Sequence, residues 1–168
     1  MTVTRQDFRD AMARLGAAVN IITTDGSAGR GGVTASAVCS VTDDPPTLLV
    51  CINRESSSGV LIKANGVLCV NVLASGQRDL SDIFARPSKE VGAEQKFAAG
   101  RWAVLETGAP ALDGAVAAFD CRIADIVEKG THSVIFASVV AIRLSVSAQP
   151  GLIYYSRGYH GVGQPTES

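Results

Sequence analysis

At 168 residues the chain is long enough to bury a real core and short for two domains, so the expectation is one domain over 1–168 with its core at about 8–160. Hydrophobic residues make up 46% and charged residues 18%, a folding composition, and a net charge of -1 supplies no field to gather nucleic acid or an anionic membrane surface. No apolar run approaches the roughly 20 residues of a membrane span, and the first residues lack a basic stretch followed by an apolar one, so a cytoplasmic protein without membrane contact is expected.

Thr4 with Asp7 three residues on has the pattern of a capping box, and Phe8, Ala11, Met12 and Leu15 then recur at helical spacing up to Gly16. Val19 to Thr24 is β-branched and reads as a strand, joined by a Gly-rich turn to the stretch Gly32 to Thr42. That turn lies between two strands and matches neither dinucleotide nor P-loop glycine spacing, which require a strand followed by a helix. If Gly32 to Thr42 is one extended strand, Thr34, Ser36, Ser40 and Thr42 share one face while Val33, Ala35, Ala37, Cys39 and Val41 share the other. Two readings stay open for it: an ordinary half-buried strand rich in Ser and Thr, or a wall of small side chains that a flat ligand approaches closely.

Thr47 to Ile52 and Val67 to Leu73 are apolar on both faces and read as strands covered on both sides. Between them, a Ser of the Ser56-Ser57-Ser58 cluster caps a short helix that stops at Asn65-Gly66. The start of that helix, beside Arg54, is either an anion site or a well-capped helix with no ligand. Leu80, Ile83 and Phe84 suggest one or two helical turns, and the polar segment between Ala85 and Gly100 reads as a solvated or binding loop re-anchored by Phe97 and Trp102. Phe119 to Val127 and His132 to Leu144 form the clearest hairpin, a last strand runs through Leu152 to Tyr155, and 161–168 reads as a frayed tail. About seven strands without βαβ alternation point to a mainly β fold, an antiparallel barrel whose openings are covered by a few short helices.

The four cysteines, Cys39, Cys51, Cys69 and Cys121, lie in apolar runs with no metal-ligand spacing, so buried free thiols and no metal site are expected. Only His132 and His160 are available to a His-dependent mechanism, and no nucleophile elbow or paired-carboxylate motif is present.

The segments Phe8 to Met12, Leu15 to Thr24, Gly32 to Pro46, Leu48 to Asn53 and Ser56 to Ser58 together resemble the flavin reductase family of two-component monooxygenases. Gly130-Thr131-His132 is similar to that family's Gly-Asp-His turn, with Thr in place of Asp. The likeness runs from about Phe8 to Tyr159, and the N-terminal half resembles the pyrimidine-utilisation branch most. It implies a Greek-key split barrel of the FMN-binding type, working as a homodimer that reduces FMN, or FAD, with NADH, or NADPH. It also implies that reduced flavin passes to a separate monooxygenase. Val33, Thr34, Ala35 and Ser36 would form the flavin wall with Cys51 alongside. Asn53 would bond the ring or ribityl chain, Ser56, Ser57 and Ser58 the phosphate, and Phe84 and Ala85 would lie at the flavin edge. His132, as the catalytic residue, and Tyr159 would neighbour the nicotinamide. The alternatives are a split-barrel oxidase acting on its own substrate and a flavin-binding module without turnover.

Overall fold

The computed structural model describes residues 2–163. Helix α1 (Arg5–Met12) begins where expected, with the Thr4 side chain accepting from the Asp7 N–H and the Asp7 carboxylate accepting from the Thr4 N–H. It ends at Met12, before Gly16, and buries none of its residues, leaving Phe8, Met12 and Leu15 exposed.

Seven strands build one antiparallel sheet: β2 (Asn20–Thr24), β3 (Gly31–Ala35), β4 (Val38–Asp43), β5 (Pro46–Asn53), β6 (Val67–Val72), β9 (Ala117–Lys129) and β10 (His132–Leu144). Their order is β3-β2-β6-β9-β10-β5-β4, so the two edge strands are consecutive in the chain. The Gly32 to Thr42 stretch is therefore two strands with a break at Ser36-Ala37, one strand for each edge. Only this two-residue link joins the edges, and it makes the barrel a split one. Each half finds its own hairpin partner, β3 on β2 and β4 on β5, which a continuous strand could not do.

The interior is filled by Ile22, Leu48, Val50, Ile52, Leu68, Val70, Ile135 and Ala137, plugged at one end by Ile62 of α2 (Ser57–Asn65). Burying each such side chain stabilises the fold by about 1.5–3 kcal/mol. Helix α2 is capped by Ser56, which accepts from the Gly59 N–H, and stops at Gly66, whose φ of 71° suits glycine. On β6, Val67 and Cys69 point away from the barrel and are covered by Ala109 and Ala111, the latter on β8 (Pro110–Leu112), the partner of β7 (Trp102–Val104). The second face of β6 is thus covered by the chain itself, whereas Leu49 and Cys51 on the outer face of β5 stay half-buried.

A second core lies outside the barrel under α3 (Arg78–Ala85), which follows a 3-10 turn at Ser75–Gln77, and α4 (Ala93–Ala98). Phe84, Phe97 and Trp102 pack there with ring centroids 4.9 to 5.5 Å apart. The polar segment 85–100 hence contains a helix and a buried Lys96 where a solvated or binding loop is expected. A third sheet joins β1 (Ala17–Ala18), β11 (Gly151–Tyr155) and β12 (Gly158–Val162). The hairpin tip Ser156-Arg157 has both residues at positive φ, and it clasps α1 through Arg157 to Asp10 and the Ser156 N–H to the Ala13 carbonyl. Strand β12 carries order through Val162, beyond the expected start of the tail at 161; residues 164–168 lie outside the described residues. Among the described residues twelve strands stand where about seven are expected, because the stretch 32–42 divides in two and the short β1, β7, β8 and β12 have no alternating pattern to announce them. Among the described residues no helix is long and apolar enough to cross a membrane.

Candidate functional site

Where the barrel is split, β3 and the Ser36-Ala37 link face the end of β5 and the start of β10. The cleft between them holds about 310 Å³ and is lined by Val33, Thr34, Ala35, Ser36, Cys51, Asn53, Ser56 and His132. Register explains the meeting: His132 lies directly opposite Asn53 in the β10–β5 ladder. Its Nδ1 is 2.9 Å from the Thr131 hydroxyl, and among the described residues Nε2 has no partner. The Asn53 Oδ1 accepts from the Glu55 N–H at 3.0 Å, which fixes the amide and leaves Nδ2 unpartnered among the described residues. Thr34 is less free, since its hydroxyl donates to the Ser81 carbonyl on α3 at 2.7 Å. The wall it belongs to is held from behind. Gly32 lies so close to α3 that an added Cβ would meet Phe84 Cε1 at 2.7 Å, an approach only glycine permits.

Phe84 is consequently not at a ligand's edge: it is fully buried and acts on the cleft only by supporting the backbone of β3. Ala85 is exposed and lines a neighbouring cavity of about 450 Å³ together with Ser56, Ser57, Arg86, Ser88 and Lys96. The two cavities share Val33 and Ser56. Ser58 lines the second cavity but is buried, its hydroxyl donating to the Gly32 carbonyl at 2.8 Å, so it ties α2 to β3 and is not free for phosphate. Ser56 is occupied as the helix cap, and Ser57 bonds Ser88 at 2.6 Å. Tyr159 is held on α3 by Ser81 and Asp82 at 2.9 and 3.0 Å and does not line the His132 cleft. Burial, with a smaller push from Asp82, raises its phenol above the usual value.

The cysteines divide in two. Cys69 and Cys121 are buried, and burial pushes the Cys121 thiol up to about 12 and that of Cys69 higher still. Cys39 is exposed and Cys51 half-buried, contrary to the expectation of four buried thiols; all four are free. Both also line a larger groove of about 1000 Å³, walled on its far side by α1 and the hairpin tip through Arg9, Met12, Tyr154 and Arg157.

Arg86, Ser88, Lys89 and Lys96, which the sequence groups in the polar segment read as a solvated or binding loop without giving any of them a role, gather around the second cavity. A lysine in a polar run carries no mark of burial, and only the fold of α4 against α3 reveals it.

A narrow slot with small walls, a fixed amide and a free imidazole edge, opening into a cation-lined cavity, fits a flat ring system with an anionic tail. Fold and slot together define the chain as an antiparallel barrel split at this point. A flavin reductase like domain matches residues 12–163, and the chain belongs to that family. Among curated proteins it is 56% identical to FMN reductase (NADH) RutF of Ancylobacter novellus, over 98% of this chain and 89% of that protein. Among solved structures, the candidate flavin reductase ycdh of Haemophilus somnus 129pt superposes with a TM-score of 0.91 at 46% identity, covering 95% of this chain and 100% of that one. Nitrilotriacetate monooxygenase component B from Mycobacterium thermoresistibile gives 0.85 at 28% identity, covering 98% and 92%.

Proposed function

We propose that this protein is an NADH-dependent FMN reductase that hands reduced flavin to a separate monooxygenase, acting as a cytoplasmic homodimer. The observation that carries the reading is the convergence of Asn53, His132 and the small wall Val33 to Ser36 on one cleft. The names of the similar proteins support the substrate, the co-substrate and the two-component arrangement.

When bound, the flavin supplies the ring that accepts hydride, so no nucleophile is asked of the protein. The residues supply geometry. The small wall of Val33 to Ser36 would admit a flat ring, the unpartnered Asn53 Nδ2 would donate to it, and His132, with Nε2 free among the described residues, would neighbour the nicotinamide. Hydride transfer needs the reacting atoms about 3–3.5 Å apart, so the role of His132 is to hold the second ring at that distance.

A second copy accounts for the apolar surface left bare. Val140, Ile142, Leu144 and Val41 are exposed, and a cleft of about 380 Å³ beside them is lined by Val38, Val70, Phe119 and Val139. Sedimentation should show a dimer at micromolar concentration; a stable monomer would remove that part of the reading.

The enzyme reading is tested by mixing protein with NADH and a large excess of FMN without oxygen. Catalytic bleaching of the free flavin is expected. A flavin that binds without bleaching would make the barrel a binding module, and bleaching of only one equivalent would point to a flavin held for another substrate.

A further inference from the structure

His132 meets the cleft with one ring nitrogen claimed and the other free: Nδ1 lies 2.9 Å from the Thr131 hydroxyl, and among the described residues Nε2 has no partner. A neutral imidazole has one donor and one acceptor, so the nitrogen that carries the proton decides what the free edge can do. Thr131 is held firmly enough to make that choice. It sits in a two-residue turn between the paired Lys129 and His132, after Gly130 at a φ of 57°, and its carbonyl accepts from the Arg54 N–H at 3.1 Å. With the backbone fixed and a β-branched side chain stiff about its first torsion, the hydroxyl has few directions open to it.

Charge around the ring is sparse. The ladders set Asn53 on one side of His132 and Lys129 on the other, and the Glu128 carboxylate is taken by Lys63 at 3.1 Å and by the Ser133 hydroxyl. Among the described residues no charged side chain lines the cleft and no carboxylate bonds the ring. Its partner is a hydroxyl that has no other acceptor among the described residues. That O–H is used within the protein only if it donates to Nδ1, which places the ring proton on Nε2. A carboxylate at the same place, as in the similar Gly-Asp-His turn, could only accept; it would put the proton on Nδ1 and leave Nε2 an acceptor, or draw a second proton onto the ring.

We propose that Thr131 is a positioning residue whose hydroxyl holds His132 as the neutral tautomer protonated at Nε2, so that the cleft is offered a hydrogen-bond donor for a carbonyl oxygen. The carboxamide of nicotinamide is the carbonyl that the reductase reading supplies. The proposal rests on that reading for its ligand and on the turn alone for its tautomer. Thr in place of Asp thus exchanges the polarity of the free edge.

The ring can be read directly, because the chain has only two histidines. In whole protein made with isotope-labelled histidine and carrying His160→Gln to remove the other signal, nitrogen NMR at a pH of about 8.5, above the ordinary imidazole value of about 6.5, should show the proton of His132 on Nε2. Thr131→Val keeps the shape and removes the hydroxyl. It should turn the ring into a mixture of tautomers and raise the KM for NADH about fivefold, with kcat and FMN affinity within about twofold. Thr131→Ser should restore both the tautomer and the KM. Thr131→Asp should move the proton to Nδ1 and raise the KM for NADH about tenfold. A wild-type ring protonated at Nδ1, a tautomer that Thr131→Val leaves unchanged, or a changed tautomer with an unchanged KM would each overturn the proposal. Failure of the wild-type protein to reduce FMN with NADH, with the Nε2 proton in place, would overturn the reductase reading and leave the tautomer assignment standing.

Discussion

Strands β5 and β6 look alike in sequence and differ in the fold. Both send alternate side chains into the barrel: Leu48, Val50 and Ile52 from one, Leu68 and Val70 from the other. On the outer face β6 is sealed by Ala109, Ala111 and Ala118, and its Asn71 carboxamide accepts from the Leu112 N–H at 2.7 Å. The outer face of β5 carries Leu49 and Cys51 into the groove walled by α1. An apolar face that the chain covers itself serves stability, and one left half-open is available for binding. Sequence alone cannot separate the two, because hydropathy says that a face wants cover and not what supplies it.

Substitutions separate these roles. The largest loss is expected from Leu68→Ala, which removes a fully buried side chain in the sealed half and should cost about 2–5 kcal/mol in denaturant unfolding. Leu49→Ala on β5 should cost under about 1 kcal/mol, as a half-buried side chain loses less burial; an equal loss at both positions would erase the contrast. Gly32→Ala should cost about 1–3 kcal/mol, because the new methyl meets the Phe84 ring, itself unable to retreat. Phe84→Leu added to it should recover part of the loss, and a neutral Gly32→Ala would show that β3 is not held from behind. His132→Ala should lower turnover with NADH by about tenfold, or about 1.4 kcal/mol, with flavin affinity within about twofold. Steady-state kinetics and flavin titration decide it, and a collapse of flavin affinity with unchanged NADH kinetics would move His132 to the flavin side. The smallest effect concerns pH. Lys96 is held below its unfolded value, so folding carries the full cost of its charge at neutral pH and regains it as pH rises through the folded and then the unfolded pKa. Ligand-free wild type should gain stability relative to Lys96→Met over that alkaline window, as read from denaturant midpoints at successive pH values.

Much of the frame was legible because it is local. The Thr4–Asp7 box, the Ser56 cap, the Gly66 stop and the Gly130 turn each depend on residues a few positions apart. Asn53 and His132 each come through resemblance, with separate roles, and only register in the β10–β5 ladder sets them opposite one another. Other features are fixed by tertiary geometry. Phe84 was placed at the ligand although its ring is spent on Gly32, and Ser58 was assigned to phosphate although its hydroxyl is spent on the Gly32 carbonyl. Tyr159 was put beside the nicotinamide, while Ser81 and Asp82 hold it on α3. In each case the residue type was right for a site and a neighbour distant in sequence had already claimed it. The break at Ser36-Ala37 was illegible for another reason: small residues alternate through it without interruption, and only the demand for two different partner strands cuts the run.

That link sets a kinematic limit on the barrel. A hydrogen-bonded seam can unzip by any amount, but Ala35 and Val38 are three virtual bonds of about 3.8 Å apart in the chain, so their separation cannot exceed about 11 Å. However the edges β3 and β4 breathe, their adjoining ends are leashed to that width. Beyond that width the two edges can part only by rotating about the link, which works as a hinge of fixed reach.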